Sequence, residues 1–247
     1  MSHRTALAQI LNEVIAPDAE LARMQGKFPR AAVTALGRVG LLGLTVSPEL
    51  GGGGAGFEEA ADVVAEVGRV CPAAAAVLRS HYAATAVVEA YGSAWLRGEI
   101  ASGRHLCSLA LVEQGGGESD APRSTAHRTA GEVVTLRGRK RQVVAAGEAD
   151  SYVWSTRPCG GPAGEGPSGD GQHLWLVPAH APDLFVPARP VGSGPRGSAT
   201  STVCADPVRV PAGALLGDER AMADVLRPWL LASGPAAPDR APTLVTS

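Results

Sequence analysis

The sequence predicts an α+β protein, an all-helical N-terminal domain followed by a middle β-sandwich or barrel. Two observations carry this. Up to about residue 104 the apolar residues recur at helical spacing, with proline and glycine as punctuation. Beyond Ser102-Gly103 the texture changes to short apolar runs separated by turn signals. The expected boundaries are 1–104 for the helical domain, 105–218 for the β domain, and 219–247 for a short helix and tail.

In order along the chain, Phe28-Pro29-Arg30 opens a helix, because proline suits the first turn, where its missing N–H costs nothing. Phe28, Ala32, Leu36 and Val39 continue one face, and Gly40 is its expected stop. After Pro48 the run Gly51 to Gly54 reads as a turn. It is no phosphate loop, since no Gly-Lys-Ser/Thr follows. A second helix starts near Phe57, with Glu58 and Glu59 in its first turn, and ends at Pro72. A third runs from about Ala73 to Tyr91 and carries His81 and Tyr82. Strands are expected over Leu106 to Val112, Thr125 to Arg128, Glu132 to Gly138, Val143-Val144, Tyr152 to Thr156, His173 to Val177 and Ser201 to Val210. Pro158 to Gly171 reads as a Gly/Pro-rich surface loop, and Ala221 to Leu231 as a last short helix.

Of the 247 residues, 45% are hydrophobic and 19% charged, ordinary values for a globular chain able to bury a sizeable core. A formal charge of −2 gives no electrostatic reason to expect nucleic acid or an anionic membrane as partner. No apolar run approaches a membrane span, and Met1 to Ile15 lacks the layout of a signal peptide, so a cytoplasmic location is expected. Cys71, Cys107, Cys159 and Cys204 lie far apart, without the paired spacing of a zinc or dithiol site, so free thiols and no metal are expected.

Four stretches in order then resemble one family. Phe28-Pro29-Arg30 with Gly40-Leu41-Leu42-Gly43-Leu44 and Pro48-Glu49-Leu50-Gly51-Gly52 is the first. Leu109 to Asp120, LALVEQGGGESD, resembles a flavin loop usually written ALTEPGAGSD. Leu136 to Lys140 with Glu148-Ala149-Asp150 resembles LNGxK…xEAD. Arg196-Gly197-Ser198 with Val208 to Pro211 and Leu215-Leu216-Gly217 is the fourth. Over about residues 28 to 220 the chain resembles the N-terminal and middle domains of acyl-CoA dehydrogenases, with their C-terminal helical domain not represented.

The resemblance implies oxidation of an acyl-CoA or acyl-carrier-protein thioester, with FAD taking hydride while a carboxylate removes the neighbouring proton. That carboxylate is usually a Glu of the C-terminal helices, and no residue here matches it. The cofactor-contacting positions implied are Val112, Gly115, Gly117, Ser119, Gln142 and Val144. Three depart from the family: Val112 and Val144 replace hydroxyl-bearing residues and Gln142 replaces a tryptophan. Gln114 stands where a proline is usual, and Glu118 is an insertion. Ser119 is retained, and its family counterpart contacts the cofactor pyrophosphate.

His81 and Tyr82 match the helix beside the acyl channel. His81 and Glu113 are the acid/base candidates, each also readable as structural. Arg137, Arg139, Lys140 and Arg141 read either as a solvated hairpin face or as a basic patch for coenzyme A phosphates or an acidic carrier. Three functions follow. The first is a flavoprotein completed by a partner chain covering an exposed middle-domain face, in a homo- or hetero-oligomer. The second is a cofactor-free relative performing an isomerisation or cyclisation in biosynthesis, and the third a non-catalytic subunit of a paralogue.

Overall fold

The computed structural model of the protein describes residues 3–114, 121–129, 131–159, 171–188 and 192–232. Helices come first: α1 (His3–Ile10), a wide π-type segment (Leu11–Ile15), α2 (Ala16–Gln25), α3 (Arg30–Arg38), α4 (Phe57–Val70), α5 (Pro72–Tyr91) and α6 (Ala94–Ala101). Then come β1 (Cys107–Ala110), β2 (Thr125–Arg128), β3 (Val133–Val143), β4 (Ser151–Thr156), β5 (His173–Pro178), β6 (Leu184–Phe185), β7 (Ser201–Pro211) and β8 (Leu215–Gly217). A second π-type segment (Ala221–Leu226) runs into α7 (Arg227–Ala232). The mixed α+β class is as expected, but β3 is one long strand that includes Val143, where a separate strand at Val143-Val144 was expected.

The strands form two four-stranded sheets, in the orders β1-β4-β5-β8 and β2-β3-β7-β6. Only the β1–β4 pair is parallel among the described ladders; the others are antiparallel. Side chains from both sheets, including Val134, Leu136, Trp154, Trp175, Val203 and Val208, share one core with the helices. β3 carries register shifts after Leu136 and after Lys140, and such bulges bend and re-aim a strand end.

α5 is the pillar between the two halves. It packs on α4, on β1 and on the Ala221–Leu226 segment. Ala73, Ala74, Val77, Leu78, Tyr82, Ala84, Val87 and Val88 are all buried, so it is apolar nearly all round, as a central helix must be. Its N-terminus follows Cys71, whose sulfur accepts from Ala74 N–H at 3.5 Å, and Pro72 occupies the first turn. α3 is capped from a distance: the Asp18 carboxylate accepts from Ala32 N–H at 3.0 Å.

The recurrent sequence stretches meet in space. Arg30 of α3 forms an ion pair with Glu148, and Asp150 accepts from Leu106 N–H at 2.7 Å, tying helices to sheet. A glycine is required at 138, because a Cβ there would sit inside the Ser124 hydroxyl. The Gly138→Ala variant is expected to lose about 1–3 kcal/mol through overpacking, read as a lower urea midpoint at unchanged slope. Among the described residues no helix is long and apolar enough to cross a membrane, and no group of three or more His, Cys, Asp or Glu is placed to hold a metal. Cys71, Cys107 and Cys204 are free thiols.

Candidate functional site

A cavity of about 340 Å³ opens where α5, the ends of β1 and β3, the 193–200 strap and α7 converge. α5 contributes Ala76, Arg79, Ser80 and Ala83, spaced i, i+3, i+4, i+7 and so on one helical face. Leu109, Leu111, Val112 and Val144 form an apolar wall, while Arg141, Gln142 and Ser193 add polar groups. Trp229 and Leu230 close the remaining side, with Trp229 packed edge-on against Phe57 at 4.9 Å between ring centroids.

The β3 end is held in an unusual conformation. Gln142 has φ of 55°, and its amide clamps Ser193 twice: Nε2 donates to Ser193 Oγ at 2.8 Å, and Oε1 accepts from Ser193 N–H at 3.0 Å. Ala145, φ 53°, and Ala146 donate to the carbonyls of Ser198 and Ala199. A left-handed backbone at a non-glycine residue costs about 1–3 kcal/mol, and here those contacts offset it. On the α5 side, Ser80 Oγ accepts from Leu109 N–H at 3.0 Å and lies 2.9 Å from Ser108 Oγ, which donates to the Val144 carbonyl at 2.6 Å.

Below the cavity Lys140 and Glu113 form a buried knot. Lys140 Nζ is 2.6 Å from Glu113, donates to Ser155 Oγ at 2.9 Å, and lies 5.5 Å from the Trp154 ring centroid. Glu113 also accepts from Arg123 N–H and from both Ser124 N–H and Oγ. Burial pulls Lys140 down to about 8 against the opposing Glu113 charge. Burial pushes the Glu113 carboxyl up, but the Lys140 ammonium and the Ser124 donors outweigh this and hold it low. Glu113 is thus spent on structure.

His81 is fully buried and receives Cys107 N–H on Nδ1 at 3.1 Å, so Nε2 carries the proton to the Leu42 carbonyl at 2.9 Å. Tyr82 is buried beside it and donates to the Leu41 carbonyl at 2.7 Å. Neither is among the residues lining the cavity. Both sequence candidates for acid/base work, His81 and Glu113, therefore have their polar atoms committed within the fold.

Val112, Gln142 and Val144 do line the cavity, whereas Gly115, Gly117 and Ser119 lie outside the described residues. The basic cluster is not one face: Arg137 pairs with Asp206 at 3.2 Å, Arg139 is exposed, Lys140 turns inward and Arg141 lines the cavity. Sequence reasoning passed over Arg79 and Ser80. The signal was the Ala76, Arg79, Ser80, Ala83 stripe, a polar pair set between two alanines.

The described lining contains no aspartate, glutamate or histidine. Helices docked on a two-sheet unit leave a cavity of ligand size at their seam, in an α+β protein. Residues 2–102 match the family described as "Acyl-CoA dehydrogenase, N-terminal domain". The chain is 28% identical over 227 residues to the probable acyl-CoA dehydrogenase YngJ of Bacillus subtilis, covering 87% of this chain and 57% of that protein. A probable acyl-CoA dehydrogenase structure from Mycobacterium abscessus superposes with a TM-score of 0.73 at 28% identity, over 89% of this chain and 58% of the other. FkbI, which serves biosynthesis of the methoxymalonyl extender unit of a polyketide, gives 0.71 at 29%, over 85% and 57%. The chain is thus similar to acyl-CoA dehydrogenases, through the N-terminal-domain match and these relatives, and it spans somewhat over half the length of the relatives it matches.

Proposed function

We propose that the chain forms the flavin-ring and acyl-group side of a centre that oxidises an acyl thioester. The supporting observation is the cavity, which lies where the family's flavin-facing positions, Val112, Gln142 and Val144, meet the face of α5. Its volume is at the small end of ligand pockets, about 300–1,000 Å³, room for a ring system or short acyl chain rather than a whole dinucleotide. The wall of Leu109, Leu111, Val112 and Val144 fits the flat apolar face of such a ring. A bound flavin would supply the hydride acceptor.

The chain's own residues position and exclude. The Gln142–Ser193 clamp and the Ser80–Ser108–Val144 chain fix the backbone around the cavity, and Trp229 with Leu230 keeps water from one side. The proton beside the thioester carbonyl needs a base from outside the described lining, where no carboxylate or imidazole stands. The family's C-terminal helices, supplied in the same assembly, are the proposed source. A cytoplasmic location and an oligomeric assembly belong to the same proposal.

Visible absorbance on titration with FAD tests this reading. Binding should saturate near one flavin per chain, weakly, because Val112 and Val144 offer no hydroxyl. Val112→Thr, which restores a hydrogen-bonding group, should tighten the flavin roughly two- to tenfold, the range of one net hydrogen bond. A flat titration for both proteins refutes the flavin reading and favours a non-redox reaction.

A further inference from the structure

We infer that the outer face of the second sheet docks an acidic protein surface that sets an apolar side chain beside its carboxylates. The inference stands apart from the cavity and from the chemistry proposed there.

The run from Arg137 to Arg141 is not one basic face, but the sheet register builds another from residues far apart in the chain. In an antiparallel ladder, directly opposite residues share a face, and so do alternate residues along a strand. Thr135, Arg137 and Arg139 of β3 therefore point one way, while Val134, Leu136 and Lys140 are buried on the other side. Arg209 of β7 and His127 of β2 both stand opposite Thr135. Cys204 stands opposite Arg139, and Phe185 of β6 opposite Cys204, so one row crosses three strands from arginine to aromatic.

Charge on this face is one-sided. Arg137, Arg139 and Arg209 are all exposed on it, in a chain whose formal charge is −2. Asp206, at the register shift in β7, answers them with a single carboxylate, 3.2 Å from Arg137. Phe185 is 56% exposed on a strand of two residues. An exposed phenylalanine alone is ordinary; its place in the arginine row is what points to a partner, since arginine and aromatic side chains supply the anchors of protein interfaces. A guanidinium takes a carboxylate through two parallel hydrogen bonds, which fixes the partner's register as well as its charge.

The same face suits a phosphate backbone poorly. Asp183 is exposed at the same corner as Asp206, where its carbonyl accepts from Asp206 N–H at 3.1 Å. Two carboxylates there repel a regular row of phosphates, whereas a protein can set its own amide or lysine opposite them. With strands about 4.8 Å apart and about 3.4 Å per residue, the face measures about 15 Å each way. A contact of that size is transient and strongly dependent on charge.

The test uses the full chain and defined probes. One fluorescein-labelled dodecapeptide is glutamate with leucine at every fourth position, a second has lysine for the glutamate, and a third is all glutamate. An oligothymidylate of equal length supplies phosphate. Fluorescence anisotropy at low ionic strength should find the glutamate–leucine peptide roughly tenfold tighter than the lysine one, with binding lost as salt is raised. Arg139→Glu and Arg209→Glu should each weaken it roughly three- to tenfold. Phe185→Ser should weaken it roughly threefold and leave the all-glutamate peptide unchanged. Arg220→Glu, exposed beyond β8 of the other sheet, should change nothing. All four positions are exposed, and thermal midpoints report that the variants fold.

Equal binding of the glutamate–leucine and lysine peptides, or no binding of either at low salt, overturns the inference. So does an equal loss in Arg220→Glu, which would mean diffuse attraction rather than a docking face. Tighter binding of the oligothymidylate through the same arginines assigns the face to nucleic acid and overturns it as well.

Discussion

Glu113→Ala is expected to cost about 3–5 kcal/mol of stability, the penalty for leaving one member of a buried pair without its partner. At roughly 2–4 °C per kcal/mol for a chain of this size, thermal unfolding should fall by about 6–20 °C. The effect is asymmetric. Lys140 has no exposed surface, and without Glu113 its ammonium keeps only neutral acceptors, the Leu111 carbonyl and Ser155 Oγ. Lys140→Met is expected to cost less, about 1–2 kcal/mol, because Glu113 retains the Arg123 and Ser124 donors and some solvent contact.

The pH response gives a second readout. Burial sets Lys140 in the fold at about 8, below its ordinary 10.5, so the unfolded chain holds more protons between these values and stability rises with pH across that window. In Glu113→Ala the opposing charge is gone and the folded lysine sheds its proton at still lower pH. The deficit should therefore shrink as the pH is raised from 7 to 9. Equal deficits for the two variants, or no narrowing with pH, contradict this account of the knot.

His81 should dominate the acid side. Burial drops it from 6.5 to about 4, against the opposing Leu42 carbonyl. The fold thus favours neutral imidazole: its contribution is complete above pH 6.5 and lost as the pH falls through about 4. A shift of this size corresponds to about 3 kcal/mol. Burial also lowers His105 and His173, which add smaller slopes of the same sign. In His81→Leu the slope between pH 6.5 and 4 should flatten. At pH 7 that variant should lose about 2–4 kcal/mol, since it orphans Cys107 N–H and the Leu42 carbonyl. Urea midpoints measured at half-unit pH steps read both effects, and an unchanged slope would assign the acid sensitivity elsewhere.

Helices with hard punctuation were legible in the sequence. Pro29, Phe57 with its acidic first turn, and the break at Pro72 all fall within a residue or two of observed ends. α6 was missed, because Trp95 is exposed and Gly98 interrupts the pattern in a helix of only eight residues. β6 and β8, two and three residues long, carry no periodic signal; their partners across the sheet define them.

The site was legible only where family positions point to it. Lys140 read as one of a surface basic run, since its burial depends on Glu113 and Ser155, 27 and 15 residues away. His81 drew attention as a titratable group on a helix. Two residues earlier, Arg79 faces the cavity, and the roughly 200° rotation over two helical residues sets the two side chains on opposite sides of α5.

The sheet order also bears on when the chain can finish folding during synthesis. α3, α4 and α5 meet neighbours close in sequence, so the helical half can collapse as it emerges. β3 must instead wait for β7, whose pairing joins Val133 to Pro211, and β5 for β8. Until Pro211 has left the ribosome β3 stands with an unfilled edge, and until Gly217 has left it so does β5, each a template for wrong pairing in the meantime.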